Sequence, residues 1–193
     1  MKKSCFFLVL ALISFGLNIQ ATTVIPPTFD ELVSKAEVIF QGAVTDVRSQ
    51  WVGEGAQRRI MSYVTFNVED TMKGAPGATY TLRMLGGTVD GETMEVSDSP
   101  KFNVGDRDII FVENNGSQFI PLVGIMHGRF HVQKDGQTGL EVVTTNEHEP
   151  LKDVSKLGKA QSAAAATQAL SPSEFKSAIR KTLQDQINRA APQ

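Results

Sequence analysis

The chain of 193 residues contains one cysteine, Cys5, and the sequence around it reads as a segment that does not survive export. Without Cys5 the working protein has no thiol. That excludes disulfide staples, thiol catalysis and cysteine-ligated zinc, so the fold must rest on its apolar core. Tryptophan occurs once and tyrosine twice, too few for a row of aromatic side chains on which sugars would stack. Three histidines limit metal chemistry, and no segment gathers the basic stripe that phosphate contacts require, which argues against a nucleic-acid partner. After residue 21 no apolar run approaches the ~20 residues of a transmembrane helix, so a soluble product is expected.

What is present begins with an export signal over residues 1–21. Lys2 and Lys3 form a positive start, Phe6 to Leu17 is apolar except for Ser14 and Gly16, and Ala21 offers a small residue for cleavage before Thr22. The expected location is therefore outside the cytoplasm, periplasmic or secreted. Cleavage leaves 172 of the 193 residues and takes the formal charge from −2 to −4 by removing the two lysines. That length suits one substantial domain and an appendage.

The mature sequence starts with a short helix. Thr28 and Glu31 have capping-box spacing, with Phe29, Leu32, Val33 and Ala36 on one face. From Val38 the apolar period becomes two. Strands are expected over 38–47, with a bend at Gly42, over 58–72, and around Tyr80, Leu82 and Met84. Asp90-Gly91 signals a two-residue hairpin, and Asn103 to Asp106 reads as a turn before a strand over 107–113. Asn114-Asn115-Gly116 reads as a further hairpin turn leading to a long bent strand over 119–132, and Asp135-Gly136 starts a last hairpin. Strands joined by glycine-rich turns after a single helix favour a closed or nearly closed antiparallel barrel, spanning residues 22–150. Residues 151–170, rich in Lys, Ser, Gln and Ala, read as a linker. Ser171-Pro172-Ser173-Glu174 then opens an amphipathic helix over 171–193, with Phe175, Ile179, Leu183 and Ile187 along one stripe.

Candidate chemistry is sparse. His127, His131 and His148, with Glu147 and Glu149, are the residue types of a zinc site. On a strand, however, the four-residue spacing of His127 and His131 spans about 13 Å, too far for one ion, so neither a metal nor another cofactor is expected. Ser97 and Ser99 flank Asp98 without a nucleophile elbow, and Asp90, Glu92, Glu95 and Asp98 alternate onto different faces of a hairpin. Gly53-Glu54-Gly55 lacks the lysine of a phosphate loop. Trp51, where the first strand meets that loop, either caps an open barrel end or anchors an interface. The candidate binding residues are Trp51 and Arg58 on either side of the loop, and His127 and Arg129 in the glycine-broken segment.

Three stretches carry a family resemblance: Val38 to Val44, Val64 to Val68 running to Lys73-Gly74, and Phe102 to Val112 with its Gly105-Asp106 turn. With Gly124 and Gly128-Arg129-Phe130, they resemble the strands of netrin-like domains, the oligonucleotide/oligosaccharide-binding-type barrels of tissue inhibitors of metalloproteinases, and of similar exported bacterial proteins. The resemblance covers about residues 36–132 and implies the barrel. It does not carry the inhibitors' mechanism, which uses an N-terminal cysteine where this chain would present Thr22. The expected role is an exported, non-enzymatic module binding a protein or envelope partner. A hydrolase assembled only in three dimensions and an oligosaccharide-binding barrel stand as alternatives, and the C-terminal helix is a candidate for self-association.

Overall fold

The computed structural model describes residues 26–158 and 168–190. The expected signal, residues 1–21, lies outside the described residues, as do 159–167 of the expected linker. The protein is mainly β: a six-stranded antiparallel sheet, a two-stranded hairpin, and a helix at each end. In chain order the elements are α1 (Phe29–Lys35), β1 (Val38–Val52), β2 (Arg59–Lys73), β3 (Thr79–Leu85), β4 (Gly87–Val89), β5 (Glu92–Met94), β6 (Arg107–Val112), β7 (Arg129–Lys134), β8 (Glu141–Thr145) and α2 (Pro172–Ala190).

Both helices start where their side chains satisfy the free N–H groups of the first turn. Thr28 Oγ1 accepts from the Glu31 N–H while the Glu31 carboxylate accepts from the Thr28 N–H, and Ser171 and Glu174 repeat the exchange. At the other end of α1, Lys73 Nζ donates to the carbonyls of Val33 and Ser34 at 2.9 and 3.1 Å. This gives the Lys-Gly at the end of β2 a structural role, and burial pulls the Lys73 ammonium below its ordinary pKa. The Asp90-Gly91 turn forms as read, with φ of 50° and 85°.

The sheet is buried on both faces, which explains the unbroken apolar run in β6. Ile109 and Phe111 join one cluster, under α1 and α2, while Ile110 and Val112 join a second cluster with Phe40, Phe66 and Leu82. The helix-side cluster centres on Phe175, whose ring lies 4.8 Å from Phe130 and 5.8 Å from Phe29 between centroids.

Two expectations are corrected. The strand order is β3-β2-β1-β6-β7-β8, so the end strands do not pair and the sheet does not close into a barrel. Nor do residues 119–132 form one bent strand. Pro121 has no N–H to give a ladder, Gly124 takes φ 64°, and Ile125–Gly128 coils into a 3₁₀ turn, leaving only Arg129–Lys134 as strand. The segment after β6 instead crosses the gap. It first covers the β3 edge, where the Arg83 N–H donates to Asn115 Oδ1 and the Leu85 N–H to Phe119 O, and then pairs Leu122 with Val112. The β8 edge is covered by the ends of the expected linker: the Val143 N–H donates to Leu170 O, and the Leu151 N–H donates to Val143 O. Leu151 is buried in the helix-side core, so this part of 151–170 belongs to the packed domain.

Charge also holds α2. Asp70 on β2 receives Lys176 Nζ at 2.9 Å and Arg180 Nη2 at 2.8 Å. Burial pushes the Asp70 carboxyl up, but the two cations and their hydrogen bonds outweigh it, leaving its pKa below the ordinary value. The stabilisation is therefore complete above the unfolded pKa, about 3.9, and is lost as pH falls through the lower folded value. Asp70→Asn is expected to lower stability by about 0.5–1 kcal/mol at pH 7. Urea unfolding should show that difference vanishing in acid.

Candidate functional site

Two places concentrate the candidate residues. The first is the far end of the β1–β2 hairpin, where pairing continues to Val52 opposite Arg59. The connecting residues 53–58 are exposed but tightly wound: Gly53 has φ +83°, and a Cβ there would fall 2.7 Å from Gln57 O. A 3₁₀ turn over Gly55–Gln57 follows, closed by the Arg58 N–H donating to Gly55 O at 3.2 Å. This turn folds the chain back so that Arg58 Cζ sits 4.0 Å from the centroid of the Trp51 ring. Trp51 lies within β1 opposite Ile60, on an ordered strand, and is half-buried. Among the described residues Arg58 has no carboxylate partner, so its positive charge rests on the indole face alone, worth about 0.5–1 kcal/mol when exposed.

The second place is a charged cluster on the sheet face away from the helices. The register sets Asp108, His131 and Thr144 directly opposite one another across β6, β7 and β8. Asp108 is fully buried and Arg129 only 2% exposed. Arg129 donates Nε to Asp108 Oδ2 at 3.1 Å, Nη2 to Asp106 Oδ2 at 2.8 Å, and Nη1 to Lys101 O at 2.6 Å. Its guanidinium also lies 4.0 Å over the Phe102 ring. Every edge and one face of Arg129 are thus engaged inside the protein. His131 Nδ1 is 2.8 Å from Asp108 Oδ1, although that oxygen receives no well-aligned hydrogen bond, so the two groups touch without a directed bond. The His131 ring stacks on His148 with centroids 4.4 Å apart and planes 5° from parallel. An open cleft above them is lined by Ser99, Asp106, Arg129, His131 and His148.

His127 stands apart from this group. It lies in the 3₁₀ turn before β7, not on a strand, and is half-buried beside Pro27, Leu32 and Asn146. Among the described residues no three His, Cys, Asp or Glu side chains converge as a metal site. The histidine–carboxylate contact that a hydrolase needs does occur at Asp108–His131. Among the described residues no serine hydroxyl bonds His131, and the other Asp108 oxygen is taken by Arg129.

The pairing of His131 with Asp108 and His148 is the feature that motif reading misses. One signal pointed to it: Asp108 shares its parity with Ile110 and Val112 in a strand buried on both faces, and an acid so placed needs a cationic partner. Comparison with known protein families, with curated proteins and with solved structures finds no match to this chain.

Proposed function

We propose that the chain is an exported, non-enzymatic binding module that engages a protein or envelope partner through the tip of the β1–β2 hairpin. The observation that carries this reading is the Trp51–Arg58 stack. Tryptophan and arginine are the residues most enriched among interface hot spots. Here they are presented together, partly ordered before contact, at the end of two paired 15-residue strands, so little side-chain freedom is lost on docking. Arg129 supports the domain from within by neutralising Asp106 and Asp108. The netrin-like resemblance remains our reading of the strand motifs, without the closed barrel. Metalloproteinase inhibition through an N-terminal cysteine is not part of the proposal.

The test uses Trp51→Ala and Arg58→Ala in the full-length chain, with circular dichroism as the control for folding. Each is expected to weaken capture of the partner from the envelope or culture fluid by about tenfold or more, the 1.4 kcal/mol or greater loss typical of an interface anchor. Trp51 is the only tryptophan, so its emission should also shift to the blue when the partner covers it. Unchanged capture by both folded variants refutes the tip as the binding surface.

A further inference from the structure

A free sheet edge runs along β1 toward the Trp51–Arg58 tip. β1 pairs with β2 from Ile39 to Val52, but with β6 only from Val38 to Ala43. Val44 is the last residue served on the β6 side, where its N–H donates to Asp106 O and its carbonyl accepts from the Gly105 N–H. Beyond it the register with β2 is unbroken from Asp46 opposite Thr65 to Val52 opposite Arg59. Ile60, opposite Trp51, turns its carbonyl to the Gly86 N–H on the β3 side, so this pair does not exchange hydrogen bonds. Pairs in an antiparallel ladder alternate, which leaves the N–H and C=O of Val47, Ser49 and Trp51 directed away from β2. Among the described residues no backbone group bonds them. Such a row is the template on which an extended chain adds as a strand.

The surroundings say what that chain must carry. Val47 and Ser49 border an open cleft whose lining includes the apolar side chains of Val64, Met84, Met94, Val96 and Phe102. Val64, Met84 and Phe102 are 2%, 4% and 8% exposed, and Val47, on the edge itself, is 37% exposed, so the cleft opens at the free edge. A Cβ on Gly87 would collide with both Ser49 Oγ and Ser62 Oγ, which places the start of β4 over the face between β1 and β2 rather than beside β1. Side chains of an added strand alternate between faces, so every second one is directed over the cleft. At the far end, the tip carries Arg58 and Arg59, neither paired with a carboxylate among the described residues, against one acid, Glu54. The edge therefore complements an aliphatic side chain near Val47 and negative charge past Trp51.

We infer that the partner adds an extended polypeptide segment to β1 as a strand along Val47 to Trp51, with an aliphatic side chain in the cleft and a carboxylate at Arg58 and Arg59. The inference rests on the hairpin tip as the recognition surface and gives the form of what is recognised there.

The probes are two acetylated, amidated hexapeptides, titrated into the full, isotope-labelled chain. Glu-Glu-Thr-Val-Thr-Val sets its acids at the tip in an antiparallel pairing, and the reversed sequence does so in a parallel one. One of them is expected to give saturating shifts in two-dimensional NMR and to slow hydrogen exchange of the Val47, Ser49 and Trp51 amides by about tenfold or more. Lysine in place of both glutamates should weaken binding by about tenfold. Val47→Pro removes an N–H that faces away from β2, so the fold is kept, and it should cost about tenfold or more, whereas Val47→Thr, which retains the N–H, should bind within a few-fold. The inference is overturned if neither peptide saturates, if the lysine peptide binds as tightly, or if folded Val47→Pro binds like the wild type. It is also overturned if the three amides are already protected in the free chain, which with a dimer in light scattering assigns the edge to a second copy. Partner capture that survives Val47→Pro but is lost in Trp51→Ala and Arg58→Ala overturns strand addition and leaves the tip standing. Capture that survives all three substitutions refutes the tip itself.

Discussion

Arg129→Met is expected to lower the unfolding free energy by about 3–5 kcal/mol, because it leaves a fully buried carboxylate without its cation. Asp108 is 0% exposed and takes Arg129 Nε and Nη2 on one oxygen, while the same guanidinium holds Asp106 and the Lys101 carbonyl. Methionine preserves much of the side-chain volume and its contact with the Phe102 ring, so the loss reports the charge rather than a cavity. The double variant Asp108→Asn with Arg129→Met should recover part of the stability, since no unpaired ion remains in the interior. Urea unfolding of the two single variants and the double variant forms a cycle that isolates the coupling. A loss below about 1 kcal/mol in Arg129→Met, the value of a surface pair, contradicts the description of this cluster as a desolvated anchor.

Phe175→Ala carries the second large effect. The Phe175 ring is fully buried against Phe29, Phe111 and Phe130, so its removal joins the loss of transfer energy to a cavity at the junction of α1, α2 and the sheet. The expected cost is about 3–5 kcal/mol. Ile187→Ala provides the internal contrast: it lies on the same stripe three turns later but is 62% exposed, and its effect should stay within about 0.5 kcal/mol. Thermal or urea unfolding distinguishes the two. Equal effects at both positions imply that α2 is not docked through its first turns.

These two sites also show what the sequence carried and what it withheld. The helix starts were legible because Thr28 with Glu31, and Ser171 with Glu174, specify a local geometry with no help from the rest of the chain. Asp90-Gly91 was legible for the same reason, as were the alternating apolar positions of β1, β2 and β3. The path after β6 was not. Phe119 to Val132 has enough apolar residues for a strand, but Pro121, Gly124 and the covering of the β3 edge by Asn115 and Phe119 are resolved only by tertiary contacts. Barrel closure failed as an expectation at this same point, since an irregular segment stands where a closing strand would pair. In sequence the nearest histidines are His127 and His131. Their real partners come from strand register and from a loop, Asp108 across β6–β7 and His148 beyond β8. The contact between Trp51 and Arg58 depends on the tight turn that Gly53 and Gly55 allow, which composition alone shows only as a glycine-rich loop.

The most direct measurement on the binding proposal places a photoreactive amino acid at Gln57, in the exposed tip loop, and separately at Ser177, exposed on α2, in the full chain expressed by the cells that produce it. The proposal predicts one discrete adduct from position 57, none of that mass from position 177, and its disappearance when Trp51→Ala and Arg58→Ala are added. Adducts from position 177 alone, or an adduct at position 57 that survives both substitutions in a folded chain, would contradict the hairpin tip as the recognition surface.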